Sequence, residues 1–279
     1  MKVIRIGLVV FVLLLSAHAA VAAGMQSDIQ DPCGGSGALL SLIDRPTVGD
    51  SACVVPAGQT LLEAGVARYV SNDTSGYSFG YPQLELRFGL PANNELVLLP
   101  PNVNRTVTSV PGGGNQIVSG GSASVVGLKH EFGYNAQWLW AGETLVTLPS
   151  GSPDFGSAAT GYAVNGIVSD SLTPVFSLSL MLGVTHLAAP ASVQAGAYYW
   201  SLNPDFVASW QTSESFQLYA EVYGQSHTGP GQGSGYNADG GVQYLLTPNI
   251  ELDAEIGKRL SGNLGGWSHY LGMGLAVLF

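Results

Sequence analysis

The sequence predicts an all-β chain, a transmembrane antiparallel up-and-down β-barrel of about 12 strands with periplasmic termini. Three observations predict it. The composition is that of a membrane protein: mean hydropathy is +0.25, 10% of residues are charged and 38 are glycine. Only one stretch, at the N-terminus, has the unbroken apolarity of a membrane-buried helix. The last residues alternate strictly. Leu271, Met273, Leu275, Val277 and Phe279 share one face, and Tyr270, Gly272, Gly274, Ala276 and Leu278 share the other. A barrel strand meets lipid only at every second residue, so an apolar protein of this kind needs no long apolar run. Closure of the sheet satisfies the backbone inside hydrocarbon. A buried strand of a soluble sandwich is the other source of such alternation.

Residues 1–23 read as a signal peptide. Lys2 and Arg5 precede an apolar run from Ile6 to Leu15, and small residues then suit cleavage after Ala22 or Ala23. About ten apolar residues fall short of the roughly twenty a helical span needs, and the order of charge, apolar core and small residues is that of a secretory signal. An uncleaved anchor is the alternative. The absence of a cysteine near the cleavage point argues against a lipid anchor. The expected destination is the bacterial outer membrane. Loss of Lys2 and Arg5 leaves seven Lys and Arg against 19 Asp and Glu, a net charge of −12, which argues against nucleic acid as a partner.

Residues 24–58 are expected to form a periplasmic extension and residues 59–279 the barrel. Cys33 and Cys53 are the only cysteines, with nineteen residues between them. In an exported protein such a pair predicts a disulfide; two free thiols are the alternative. No histidine lies near either, so a metal site is disfavoured.

Along the barrel, strands are expected at 61–69, near Gln83 to Leu90, around Lys129 and Glu143, from Val175 to His186, Gly196 to Gln211 and Phe216 to Gln225, near Ile250, and at the end. Short connections (Pro91 to Asn94, Tyr134 to Ala136, Ser171 to Pro174, Thr212 to Ser215, Thr247 to Asn249) alternate with long ones. The long ones are Ser71 to Gly80, Arg105 to Gly121, Ser150 to Ala158, Leu187 to Ala195, Thr228 to Tyr236 and Ser261 to Trp267. Bacterial barrels keep short turns on the periplasmic side and long loops outside, so five short and six long connections separate twelve strands. Pro204 is expected to kink its strand. Trp138, Trp140, Trp200, Trp210 and Trp267 sit near strand ends, as in an aromatic girdle; ordinary packing also accounts for any one of them.

Charges fall in one register. Leu84, Leu86, Phe88 and Leu90 alternate with Gln83, Glu85, Arg87 and Gly89, and Ile250, Leu252, Ala254 and Ile256 alternate with Glu251, Asp253 and Glu255. A charge facing lipid at mid-depth costs roughly 2–4 kcal/mol, so the charged register is assigned to the interior. Glu85, Arg87, Lys129, Glu131, Glu143, Glu221, Glu251, Asp253 and Glu255 are the candidate lumen-lining residues, with Glu63, Glu95, Asp205 and Asp239 in the same register. Only Arg87 and Lys129 oppose these carboxylates. An acidic lumen biases passage against anions; a polar lumen that merely hydrates is the plainer reading. Twelve strands lie between filled eight-stranded barrels and open sixteen-stranded porins, so an open and a blocked lumen both fit.

The segments "LLEAGVARY" (61–69), "TLVTLPSGSPDFGS" (144–157), "SDSLTP" (169–174) and "SLNPDF" (201–206) resemble the outer-membrane transporter family grouped with the phenol meta-pathway degradation proteins. "DRPTVGDSACVVPAGQ" (44–59) is similar to the N-terminal extension of one branch. Ser150 stands where the family pattern has threonine. The resemblance, over about Ala38 to Phe279, implies a twelve-stranded channel or transporter and carries over no catalytic residue. By analogy with known barrels, Phe279 resembles the C-terminal signal read by the barrel-assembly machinery.

No catalytic constellation stands out, and the sequence points to no enzyme, cofactor or metal. Ser226-His227 and Ser268-His269 are adjacent pairs, and strand neighbours point to opposite faces. "VPGGGNQ" (110–116) and "GPGQGSGYN" (229–237) lack the following helix that a phosphate-cradling loop needs. The expected function is passage of small solutes by a barrel whose other partners are outer-membrane lipid and the assembly machinery. A lipid-modifying outer-membrane enzyme and a structural or adhesive barrel are the alternatives.

Overall fold

The computed structural model describes residues 31–279 apart from 72–75, 111 and 195; the expected signal peptide lies outside the described residues. The strands are β1 (Thr60–Ser71), β2 (Gly76–Tyr81), β3 (Glu85–Leu90), β4 (Asn94–Leu99), β5 (Val103–Ser109), β6 (Asn115–Gly121), β7 (Val125–Tyr134) and β8 (Trp138–Thr147), followed by β9 (Gly161–Thr173), β10 (Phe176–Ala188), β11 (Tyr198–Ser213), β12 (Phe216–Gln225), β13 (Gly235–Thr247), β14 (Ile250–Ser261) and β15 (Trp267–Leu278). Two short helices, α1 (Ala38–Leu42) and α2 (Ala191–Gln194), lie outside the sheet.

All pairings are antiparallel, and β15 pairs with β1 from Leu61↔Leu278 to Ser71↔Trp267, which closes the barrel. Three staves are each broken in two, β2 from β3, β4 from β5, and β6 from β7, so the fifteen strands make a 12-strand barrel. Pro82 sits in the first break and Pro100 and Pro101 in the second; a residue without an N–H cannot serve a ladder from its interior. Segment β6 pairs with β5 alone.

Two long connections are shorter than expected. Most of Arg105 to Gly121 is strand, and only 110–114 links β5 to β6. The second stave likewise rises as β2 through Gly76 to Tyr81. Gly, Ser, Asn and Thr dominate these segments, so apolar alternation is too weak there to mark a strand. Pro204 does not shift the ladder: Asp205, Pro204 and Asn203 pair in unbroken register with Met181, Leu182 and Gly183. The β11–β12 ladder starts one residue later, at Asp205↔Tyr223, so the missing N–H costs no rung there. Trp138, Trp140, Trp200 and Trp210 are exposed, but Trp267 is buried among Ala67, Tyr223 and Tyr270.

The main correction concerns the extension. Residues 31–59 fill the lumen instead of sitting in the periplasm. The chain enters at the short-turn end, where Gly37 lies against Gln211 and Glu214. It passes through α1, climbs to Arg45–Gly49 at mid-height and descends to Gln59, where Gly58 N–H donates to the Gly89 carbonyl (3.0 Å). Leu39, Leu40, Leu42, Ile43, Ala52 and Val55 pack on Leu61, Leu139, Ala141, Ile167, Leu245 and Ala276 of the wall. Each fully buried leucine contributes about 1.5–3 kcal/mol. The physical reason is width: a twelve-stranded wall is too wide for its own side chains to fill, and apolar residues of the extension have nowhere else to leave water. A disulfide joins Cys33 to Cys53 (Cα–Cα 5.6 Å), which closes the plug into a loop.

Replacing both cysteines, C33S/C53S, removes a constraint worth ~3 kcal/mol for a loop of this length. The barrel should still show the heat-modifiable mobility of a folded protein, while limited proteolysis should cut within 31–59 faster than in the native chain. Equal protection of the plug would show that packing alone holds it.

Candidate functional site in the plugged lumen

Alternation along the strands sends the charged register inward, and the plug meets it with complementary groups. Arg87, fully buried on β3, spans plug and wall. Its Nε donates to Glu95 Oε1 (2.6 Å) and its Nη2 to Glu95 Oε2 (3.1 Å) and to the Cys53 carbonyl (3.2 Å). Its Nη1 donates to Glu63 (3.2 Å) and to the Leu42 carbonyl, and lies 3.1 Å from Asp44 Oδ2. Lys129 Nζ sits 3.3 Å from both oxygens of Asp44.

Wall carboxylates also receive the plug's backbone. Glu63 accepts the N–H groups of Asp44 and Arg45 (2.7 Å for Arg45), and Glu95 accepts that of Val55 (2.6 Å). Glu221 accepts the N–H groups of Val48 (2.9 Å) and Gly49 (2.8 Å). On the far wall, Arg45 forks onto Asp253 (3.1 and 3.4 Å) and approaches Glu255 (3.9 Å). Its guanidinium lies over the Gly65–Gly274 pair, where a Cβ on either glycine would strike it. Burial works against its charge, and Asp253 and Glu255 more than offset this, leaving the Arg45 pKa raised.

The other predicted lumen residues also turn inward. Glu143 accepts from Asn165 Nδ2 (2.9 Å). Glu131 Oε2 lies 3.8 Å from Cys33 Sγ, a contact and not a hydrogen bond because a disulfide sulfur carries no proton. Glu85 pairs in register with Glu63 and is half-buried. Glu251 is fully buried, and neither carboxylate oxygen has a hydrogen-bond partner among the described residues. The Tyr270 hydroxyl lies 2.8 Å from Glu255 and 2.7 Å from Asp239; its one proton serves one of them at a time. At the chain end, Phe279 is 69% exposed and exchanges two backbone hydrogen bonds with Thr60 (2.8 and 3.2 Å).

Plug and wall do not meet all round. Toward the short-turn end of β9–β12 the interior is built mainly of serine and glutamine, and a gap remains. Its lower part, of about 410 Å³, opens among the short turns beside Asp31 and Glu214. Its upper part, of about 140 Å³, runs past Ser169, Ser179 and Ser209 to Asp50 and Tyr219. Both parts include Ser41, Ser171, Ser177 and Gln217, so they form one crevice. No Lys or Arg lines either part. Burial first, then the nearby charges of Glu143 and Asp44, hold the Asp50 carboxyl well above the usual carboxylate range against the pull of Lys129. Above the crevice Asp205 packs on Gly49, and neither of its oxygens has a hydrogen-bond partner among the described residues.

Sequence reasoning missed the plug residues and the serine wall. A signal for the wall was available: serine at alternate positions of successive strands (169 and 171, 177 and 179). The two Ser–His pairs need a correction. Ser226 Oγ lies 3.2 Å from His227 Nδ1 at a bend just past the end of β12, and within β15 Ser268 Oγ lies 3.0 Å from His269 Nδ1, which is close enough to the backbone to reach round the strand. Ser268 gives its one proton to the Val70 carbonyl (3.2 Å), leaving it none for the imidazole to abstract. Among the described residues no three His, Cys, Asp or Glu are grouped as metal ligands.

Arg87→Met would take from Glu63 and Glu95 the cation they bond and leave Lys129 as the cation on Asp44. Breaking a buried pair in this way costs about 3–5 kcal/mol, read as a lower urea midpoint for loss of heat-modifiable mobility. The exposed Lys258→Met should stay within about 0.5 kcal/mol of native.

Comparison with known proteins agrees with this architecture. An outer membrane channel from Pseudomonas putida F1 superposes with a TM-score of 0.60 at 12% identity, covering 82% of this chain and 98% of that one. The NanC porin superposes with a TM-score of 0.51 at 12% identity, covering 77% and 98%. At these identities the likeness establishes the fold. No curated protein matches in sequence. The profile of one family matches residues 43–275, and the chain belongs to that family, described as "putative MetA-pathway of phenol degradation".

Proposed function

We propose that this barrel passes small solutes across the outer membrane through the crevice between plug and serine wall, with the plug as the element that narrows the route. The carrying observation is the unequal lumen. Charged side chains of β1, β3, β4, β7, β12 and β14 hold the plug, while β9–β11 make no charged hydrogen bond to it among the described residues and line a gap with hydroxyls. An uncharged polar lining suits solutes that shed little hydration to enter. Asp31 and Glu214 border the lower part of the gap, which no Lys or Arg lines, and this supports the bias against anions. The outer-membrane channel fold and the family membership support the same reading, in which the family's phenol-degradation label suggests small aromatic solutes. The exposed Phe279, on a strand end bonded to Thr60, fits a handle for the barrel-assembly machinery.

Planar-bilayer conductance under a salt gradient tests the proposal. The native protein should give small, cation-selective openings. Ser179→Trp, which fills the crevice, should cut conductance roughly tenfold, and Glu221→Ala, which releases Val48 and Gly49, should raise it severalfold. A folded barrel whose conductance ignores both substitutions would overturn the crevice as the route.

A further inference from the structure

The outer surface sorts charge differently from the lumen. Arg45, Arg87 and Lys129 are consumed inside. Arg68, Arg105 and Lys258 lie exposed on the outward face of the long-loop end, with His269 among them. The ladders bring them together. Leu271, Arg68, Phe79 and Arg105 stand in one cross-strand row over β15, β1, β2 and β5, and Lys258, His269, Val70 and Tyr77 stand in the next. Neighbouring strands lie about 4.8 Å apart, which puts Arg68 and Arg105 on the order of 10 Å from each other. The Arg68 guanidinium is held over the Tyr77 ring, 4.9 Å from its centroid. None of Arg68, Arg105 and Lys258 makes a salt bridge among the described residues. Between Arg68, His269, Ile256 and Leu271 the surface dips into a groove of about 370 Å³. Toward the membrane centre the same face turns apolar, with Val66, Leu271 and Met273 exposed.

Cations above an apolar strip match a ligand with anionic groups above acyl chains. We propose that this face binds a phosphorylated lipid of the outer leaflet. Arg68, Arg105 and Lys258 hold its phosphates, and its acyl chains run along Val66, Leu271 and Met273. Two of the three cations are arginines, whose planar fork takes phosphate through paired hydrogen bonds, and Tyr77 orients one of them. The groove lies across the β1–β15 seam, so the bound lipid spans the two strands that close the barrel. This face is separate from the crevice, so the lipid proposal and the solute-passage proposal stand or fall independently.

The test uses the full mature chain in detergent, titrated with bisphosphorylated lipid A, with the same lipid stripped of its phosphates, and with inorganic phosphate. Lipid retained on gel filtration and the thermal midpoint of heat-modifiable mobility are the readouts. Bisphosphorylated lipid A should be retained and raise the midpoint, and R68Q/R105Q/K258Q should weaken its binding roughly tenfold or more. If the triple variant does not fold, R105Q and K258Q singly should each weaken binding about threefold. Three results would overturn the proposal: native-like binding by the variants, equal binding of the dephosphorylated lipid, or an equal effect of inorganic phosphate, which would make the site one for free anion.

Discussion

Arg87 is the point at which wall and plug become one structure. Removed wholly from water, a guanidinium must find an acceptor for each donor or lose several kcal/mol. This one draws on Glu95 and Glu63 from the wall, Asp44 from the plug, and two plug carbonyls. With Lys129 it sets two buried cations among three buried carboxylates. The plug's height and rotation in the lumen follow, because the groups that satisfy Arg87 lie on both sides of the plug's apex, at Leu42 and Asp44 and again at Cys53. Apolar packing holds the plug in the lumen, and this network fixes its register.

Much of the barrel was legible because lipid imposes a binary rule: a residue faces hydrocarbon or it does not. That rule marks Leu271 and Met273 as outward and Glu251, Asp253 and Glu255 as inward without any knowledge of neighbours. It fails where neither face is strongly apolar, as in Val103–Ser109 and Asn115–Gly121, whose glycines and hydroxyls read as loop. It is silent on what fills the lumen. Leu39, Leu42 and Ile43 were visible as apolar residues near two cysteines, but a local pattern cannot say which cavity they enter. The pairing of Arg45 with Asp253 spans 208 positions, and no spacing rule reaches that far. The excess of inward carboxylates read as selectivity, yet Glu63, Glu95 and Glu221 are largely occupied as acceptors for plug amides.

That occupation changes how the charge of the lumen should be understood. A carboxylate bonded to two backbone N–H groups is a structural acceptor first, and the field it presents to a solute is reduced. The β9–β12 wall offers the plug few ionic partners. Short hydroxyl side chains leave width, where long acidic ones would reach across and grip. Strands with inward Glu, Asp, Arg or Lys bonded to the plug anchor it, and the serine-lined part of β9–β11 clears space.

The plug enters and leaves by the same rim, with its two arms tied by Cys33–Cys53 and its trailing arm continuous with β1. Such a loop is hung in the barrel, not threaded through it, and no strand need part for it to move along the axis. The topology also constrains the order of biogenesis. A disulfide formed before any strand inserts would make a bulky ring. The wall would then have to curl around that ring or admit it whole through the short-turn mouth. β1 is joined to the ring and β15 is the last strand of the barrel in chain order, so in that case the seam between them would close last, over a plug already in place.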